Sequence, residues 1–207
     1  MTAKLSPEEM QTFAEEGLVK PDCRLPEQTM RRMRALTDST LVATQGQPPE
    51  SIVCPYLPGW NGLPEAITDE WLAIAGTPEI VDYVAAVLGS DIILWGGQFF
   101  CKPAYTGLEV PWHQDGEYWP ITPLKTCSVW LAIDDVTSEN GCMRYIPGSH
   151  KNAELFPHRQ DEREDLVLNQ VTEEAYFDAG TAKDDELRAG EFSLHDVFLV
   201  HGSQPNR

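Results

Sequence analysis

The chain has 207 residues and 23.2 kDa, long enough for one domain whose core needs no disulfide or metal staple. Fifteen Lys+Arg against thirty-three Asp+Glu leave a net charge of −18 and a pI near 4.5. Such a surface repels phosphate backbones and anionic lipids, which disfavours nucleic acid, membranes and bulky polyanionic substrates as partners. No apolar run approaches the ~18 residues of a membrane span, and Met1 to Glu9 lacks the apolar core of a signal peptide, so a cytoplasmic protein is expected. The five cysteines (Cys23, Cys54, Cys101, Cys127 and Cys142) are odd in number and form no C-x-x-C pair, which predicts reduced thiols. Cys127 and Cys142 lie in apolar stretches and read as small core residues.

The front of the chain reads as helical. Ser6-Pro7-Glu8-Glu9 supplies an N-cap, a proline for the first turn and a capping-box glutamate, and Gly17 follows the last turn. A second helix is expected from Pro26 to about Leu36. Five prolines and three glycines between Thr44 and Pro64 predict a loop. A short helix is expected over Trp71 to Ala75. Thr77-Pro78-Glu79 opens another, with Ile80, Val84, Val87 and Leu88 on its apolar face and Gly89 closing it. From Asp91 the pattern turns to strands: Ile92 to Cys101, Thr126 to Ile133, Cys142 to Ile146 after an Asn140-Gly141 hairpin signal, and Phe192 to His201. Pro147-Gly148 marks a turn, and the charged stretch 151–165 reads as an exposed insertion. Helices followed by strands predict an α+β fold around an antiparallel sheet or barrel.

Trp112-His113-Gln114-Asp115 is the first candidate site. Residues two apart in a strand share a face, so His113 and Asp115 can grip one metal ion. A second imidazole would complete a 2-His-1-carboxylate set, which leaves three adjacent positions open on Fe(II). The spacing alone is weak evidence, because with acids at about one residue in six, five histidines give close to one H-x-[DE] by chance. Among the other histidines, His150 ends Pro-Gly-Ser-His and reads as part of a structural turn, while His158 in the charged stretch reads as solvated. His195 reads as a substrate contact or a support for the ligands.

Several motifs in one order say more. Lys102-Pro103-Ala104-Tyr105-Thr106-Gly107, Trp112-His113-Gln114-Asp115-Gly116-Glu117-Tyr118-Trp119-Pro120, Asn140 to His150 and His201-Gly202-Ser203 together resemble the phytanoyl-CoA dioxygenase family. These are iron- and 2-oxoglutarate-dependent oxygenases, and the Lys-Pro-aromatic-Thr-Gly stretch is similar to the ectoine hydroxylase branch. The resemblance runs from about residue 91 to Arg207 and implies a double-stranded β-helix (jelly-roll, cupin-like) barrel. Residues 1–90 would serve as helical support within a single domain of residues 1–207. It implies Fe(II) held by His113, Asp115 and His201, with 2-oxoglutarate and O2 as cosubstrates. Gln98, Lys102, Trp130 and Ser203 match positions lining the 2-oxoglutarate site. Asp115 stands where halogenating relatives carry Gly or Ala, so the resemblance implies hydroxylation or a related oxidation.

One family feature has no counterpart. Relatives usually place an arginine ten or eleven residues after the last iron-binding histidine, where it pairs the distal carboxylate of 2-oxoglutarate. Arg207, the last residue here, stands six beyond His201. The family's final strand is therefore expected to lie outside this sequence, and the partner of the distal carboxylate stays open. Trp112, Tyr118 and Trp119 beside the ligands would form an aromatic wall suited to a cationic, zwitterionic or apolar molecule. Two rivals to hydroxylation remain: desaturation or cyclisation on the same iron centre, and a non-catalytic cupin-like metal- or ligand-binding protein. Oxygen-dependent succinate release separates the last of these from the others.

Overall fold

The computed structural model describes residues 5–207; Met1–Lys4, at the head of the stretch read for a targeting signal, lie outside them. Helix α1 (Pro7–Glu16) forms at its predicted place. Ser6 Oγ accepts the Glu9 N–H at 3.2 Å, and the Glu9 carboxylate accepts the Ser6 N–H at 2.6 Å. Gly17 ends the helix at φ +83°, a left-handed conformation that favours glycine. Helix α2 (Glu27–Ala43) runs past the expected end at Leu36. Tertiary contact overrides the weak propensity of Thr37-Asp38-Ser39-Thr40, because Met30, Met33, Leu36 and Thr40 form one buried stripe. The Thr40 hydroxyl also accepts the Trp71 indole N–H at 2.9 Å. Helices α3 (Glu65–Ala75) and α4 (Pro78–Leu88) bend by 52° at Gly76-Thr77 and bury Trp71, Ile74 and Ile80 with Met30, Met33, Ile52 and Phe99. The stretch between α2 and α3 is irregular, as its prolines predict, apart from a short turn over Pro49–Ser51.

The strands are β1 (Leu18–Val19), β2 (Val110–His113), β3 (Cys127–Leu131), β4 (Met143–Tyr145), β5 (His158–Gln160), β6 (Gln170–Thr172), β7 (Lys183–Asp185), β8 (Phe192–Asp196) and β9 (His201–Ser203). They form antiparallel sheets ordered β1-β8-β3, β2-β9-β4-β7 and β5-β6. Two buried groups join the first two sheets, where Ser193 Oγ on β8 donates to Asp185 Oδ2 on β7 at 2.6 Å. The α+β class stands, with helices packed beside antiparallel sheets.

Four expectations need correction. The β-rich run Ile92 to Cys101 lies outside the strands. Only Gln98 makes a bridge, to Val53, and Ile93, Leu94 and Trp95 are exposed. A strand needs a ladder partner as well as propensity, and among the described residues Ile92 to Gly96 has none. Asn140-Gly141 does turn, with Gly141 at φ +86° and Asn140 Oδ1 accepting the Thr137 N–H at 2.8 Å. It is no hairpin, since β3 and β4 belong to different sheets. Stretch 151–165 is not simply an exposed insertion, because it contributes β5 and the buried imidazole of His158. The run Phe192 to His201 is split into β8 and β9 by Val197 to Val200. The five thiols are free, and burial pushes those of Cys127 and Cys142 up to about 12, in keeping with inert packing residues.

Candidate metal centre

β2 and β9 place His113 directly opposite His201, with ring centres 4.2 Å apart. The same local bond orients both rings. His113 Nδ1 lies 2.9 Å from the Pro111 carbonyl and His201 Nδ1 lies 3.0 Å from the Leu199 carbonyl. A carbonyl only accepts, so each Nδ1 carries the hydrogen and each Nε2 keeps a free lone pair. β2 ends at His113, but Gln114 stays extended at φ −120° and ψ 130°, and Asp115 opens a short turn over Asp115–Glu117. The alternation of a strand thus persists one residue past the strand itself. Asp115 Oδ1 lies 3.6 Å from His113 Nε2 and 3.7 Å from His201 Nε2. One donor atom from each of the three residues falls within 4.8 Å of the others.

Gln114 points the other way and is fully buried. Its amide donates to the carbonyls of Glu154 (3.0 Å) and Phe198 (2.6 Å) and accepts the Phe156 N–H at 2.7 Å. This clamp fixes the backbone between His113 and Asp115, and nothing in the His-Gln-Asp spacing announces it. The second oxygen of Asp115 is also held. Ser128 Oγ donates to Oδ2 at 2.6 Å, and His195 Nε2 lies 3.3 Å from the same atom. Ser128 escaped the sequence reading, since a lone serine in a strand carries no signal.

Charge follows from this packing. Burial by itself would raise the Asp115 carboxyl, but facing His201 and the contacts from His113 and His195 outweigh it and hold the carboxyl well below its usual range. Burial, reinforced by neighbouring His113, pushes His201 well below its ordinary value, so it stays neutral with its lone pair available. One carboxylate and two imidazoles whose Nε2 lone pairs are left free by the carbonyl bonds on Nδ1 fit a divalent first-row metal.

Of the residues matched to the 2-oxoglutarate site, Lys102 and Ser203 meet directly. Lys102 Nζ donates to Ser203 Oγ at 2.5 Å and to the Gln204 carbonyl at 2.6 Å. Burial pulls the Lys102 ammonium down to about 8. Trp130 shares a β3 face with Ser128, which reaches Asp115, and its buried indole Nε1 has no hydrogen-bond partner. An orphaned buried donor on that face suits an acceptor-rich group such as a carboxylate. Gln98 stands apart: its amide is spent on the Glu50 carbonyl at 3.0 Å, and the strand that would align it with Lys102 does not form. Arg207 donates its backbone N–H to the Glu139 carbonyl at 3.2 Å, and its side chain is exposed.

The aromatic wall is thinner than expected. The Tyr118 ring faces that of His113 at 5.9 Å, but Trp112 lies on the opposite face of β2, against Phe177 and beneath Arg144. His150 sits in the Pro-Gly turn as read. His158 is not solvated: Nδ1 bonds the Phe156 carbonyl at 2.7 Å, and Nε2 takes the Gln114 N–H (3.3 Å) and the Thr172 hydroxyl (2.9 Å).

The sequence profile of the phytanoyl-CoA dioxygenase (PhyH) family matches residues 5–207. The chain belongs to the phytanoyl-CoA dioxygenase family. It is 30% identical over 137 residues to a probable alpha-ketoglutarate-dependent hypophosphite dioxygenase of Stutzerimonas stutzeri, covering 65% of this chain and 47% of that protein. It is 45% identical over 107 residues to phytanoyl-CoA dioxygenase 1 of Oryza sativa subsp. japonica, covering 52% of this chain and 37% of that one. The chain thus spans less than half the length of these curated relatives. The solved structure of the non-heme monooxygenase ThoJ in its apo form superposes with a TM-score of 0.72 at 29% identity, covering 95% of this chain and 71% of ThoJ.

Proposed function

We propose that this chain is a single iron- and 2-oxoglutarate-dependent oxygenase domain that hydroxylates a small molecule, with His113, Asp115 and His201 holding the iron. The observation that carries the reading is the convergence of two Nε2 lone pairs, each freed by a carbonyl bond on Nδ1, upon one oxygen of a half-buried carboxylate. Family membership and the solved neighbour support it. The two larger antiparallel sheets, joined through Asp185 and Ser193, support a double-stranded β-helix over residues 91–207, with residues 1–90 as helical support.

When bound, iron would activate O2, the oxidant, while 2-oxoglutarate would be oxidised to succinate and CO2 with one oxygen atom and the other would enter a substrate C–H bond. The chain's residues bind and orient. The imidazoles of His113 and His201, locked by Pro111 and Leu199, offer fixed Nε2 lone pairs. Trp130 Nε1 donates to a cosubstrate carboxylate, which relieves its orphaned state. The Lys102 ammonium, with Ser203 beside it, supplies the positive charge for the distal carboxylate. The Tyr118 ring screens His113 from solvent, its hydroxyl anchored on the Gln170 carbonyl at 3.0 Å.

Anaerobic titration with Fe(II), followed by oxygen-dependent release of succinate from 2-oxoglutarate, tests the reading. One iron per chain and succinate release are expected. A chain that binds no Fe(II) overturns it, and one that binds iron but releases no succinate under any substrate regime supports the non-catalytic rival.

A further inference from the structure

We propose that His195 is a positioning residue of the metal centre: with Ser128 it holds the outer oxygen of Asp115, so that a single oxygen faces His113 and His201. The inference rests on the iron reading above and concerns residues that touch a ligand rather than the metal.

The two oxygens of Asp115 have separate partners. Oδ1 faces the two ligand imidazoles, and Oδ2 is met by Ser128 Oγ at 2.6 Å and His195 Nε2 at 3.3 Å. Ser128 and His195 are paired residues on β3 and β8, whereas His113 and His201 lie on β2 and β9 of the other sheet. The clamp therefore reaches across from the facing sheet and is independent of the bonds that orient the two ligand rings. An ionised carboxylate only accepts, so the hydrogen of His195 sits on Nε2. Its Nδ1 is then a bare acceptor, and that atom is buried without a partner. Packing alone gives no reason for such a residue. A leucine would fill the same buried position on β8 without an orphaned acceptor, as neighbouring Leu194 does on the other face. The bond to Asp115 is what the imidazole supplies that leucine lacks. A free carboxylate can rotate and present both oxygens to a cation. Fixing Oδ2 limits Asp115 to one coordination position and leaves the adjacent ones for cosubstrate and oxygen.

The test compares His195→Leu, His195→Gln and Ser128→Ala with the unaltered chain, using anaerobic Co(II) as the probe. Co(II) affinity, the Co(II) visible absorption spectrum and the metal-free melting temperature are measured for each. His195→Leu should weaken Co(II) binding by about 10–100-fold and alter the spectrum as the carboxylate changes its mode of binding. The Gln side chain places an amide N–H near the Nε2 position and exchanges the Nδ1 acceptor for a carbonyl oxygen. His195→Gln should therefore keep the parental spectrum and affinity within about threefold, well short of the ~10–100-fold expected for the leucine variant. Ser128→Ala should fall between the two. Parental affinity and spectrum in both His195→Leu and Ser128→Ala overturn the proposal. So does His195→Gln matching His195→Leu in both readouts while melting like the parent, since the ring then merely fills space. If His195→Leu does not fold, Ser128→Ala decides, and a parental spectrum there overturns the clamp. An unaltered chain that binds neither Co(II) nor Fe(II) overturns the iron reading and this inference with it, whereas parental binding with unresponsive variants overturns the clamp alone.

Discussion

The β2–β9 pair carries two histidines and the β5–β6 pair one, all turned by the same bond, from Nδ1 to the carbonyl two residues earlier, and the two pairs put them to opposite uses. His113 and His201 keep Nε2 free toward Asp115. His158, on β5, has its Nε2 taken by the Gln114 N–H and the Thr172 hydroxyl. Burial pushes His158 down as it does His201, so both are neutral and differ only in what occupies the second nitrogen. A neutral, oriented, buried imidazole is therefore insufficient for ligation; a vacant Nε2 beside a second donor is what makes one. His158 still serves the site at one remove, because it anchors the peptide N–H of Gln114, the residue between His113 and Asp115.

The largest effect expected from breaking this contrast is at Asp115. Asp115→Ala should weaken Fe(II) binding by more than the ~100-fold that loss of a supporting partner costs, with the metal-free chain still folded but melting at a lower temperature, because the contacts that favour the ionised carboxyl are lost. Anaerobic calorimetry and thermal melting check both halves. Retained stoichiometric binding would remove Asp115 from the ligand set.

Lys102 comes next. Its ammonium, at about 8 rather than the ordinary 10.5, is fully charged only below that range. Affinity for 2-oxoglutarate should therefore be level at lower pH and fall as pH rises through 8. Lys102→Met should abolish that step and lower affinity at pH 7 by about 10–100-fold, the worth of a charge-assisted bond. The same depression makes folding stability rise between pH 8 and 10.5, where the unfolded chain binds the extra proton. Fluorescence titration of the cosubstrate across pH reads the first effect and chemical denaturation the second.

His158→Phe sharpens the comparison from the other side. It strands the Gln114 N–H and the Thr172 hydroxyl, which costs about 1–3 kcal/mol in a denaturant melt. Iron stoichiometry should survive, unlike in Asp115→Ala. Loss of iron in a well-folded His158→Phe chain would erase the distinction drawn between the two strand pairs.

The smallest expected effect is at Trp130. Trp130→Phe deletes one N–H and should weaken 2-oxoglutarate binding by a few-fold, about 0.5–1.5 kcal/mol, while leaving Fe(II) affinity unchanged. Equal loss of both would mark Trp130 as packing only.

Local chemistry in the sequence determined what needed no distant partner. The capping box at Ser6 and Glu9, the glycine stop at Gly17, the start and end of α4, and the Asn140-Gly141 turn all arise within a few residues of chain. The motif order placed His113, Asp115 and His201 in one family pattern, and the extended Gln114 keeps the first two on one side. What the sequence left open is whatever depends on a partner far along the chain. Ile92 to Cys101 has the composition of a strand but meets only a single bridge, Gln98 to Val53, whereas β6 and β7 form in unpromising polar stretches because β5 and β4 pair with them. Gln98 matches a family position lining the 2-oxoglutarate site, yet its amide is held by the Glu50 carbonyl. Ser128, Gln114 and His158 look ordinary in sequence, and their roles exist only once three sheets bring their hydrogen-bonding atoms within 3.3 Å of partners 13 to 84 residues away. A hydrogen bond of that kind is set by position in space to within a few tenths of an ångström, and sequence spacing carries no such information between strands that meet only on folding.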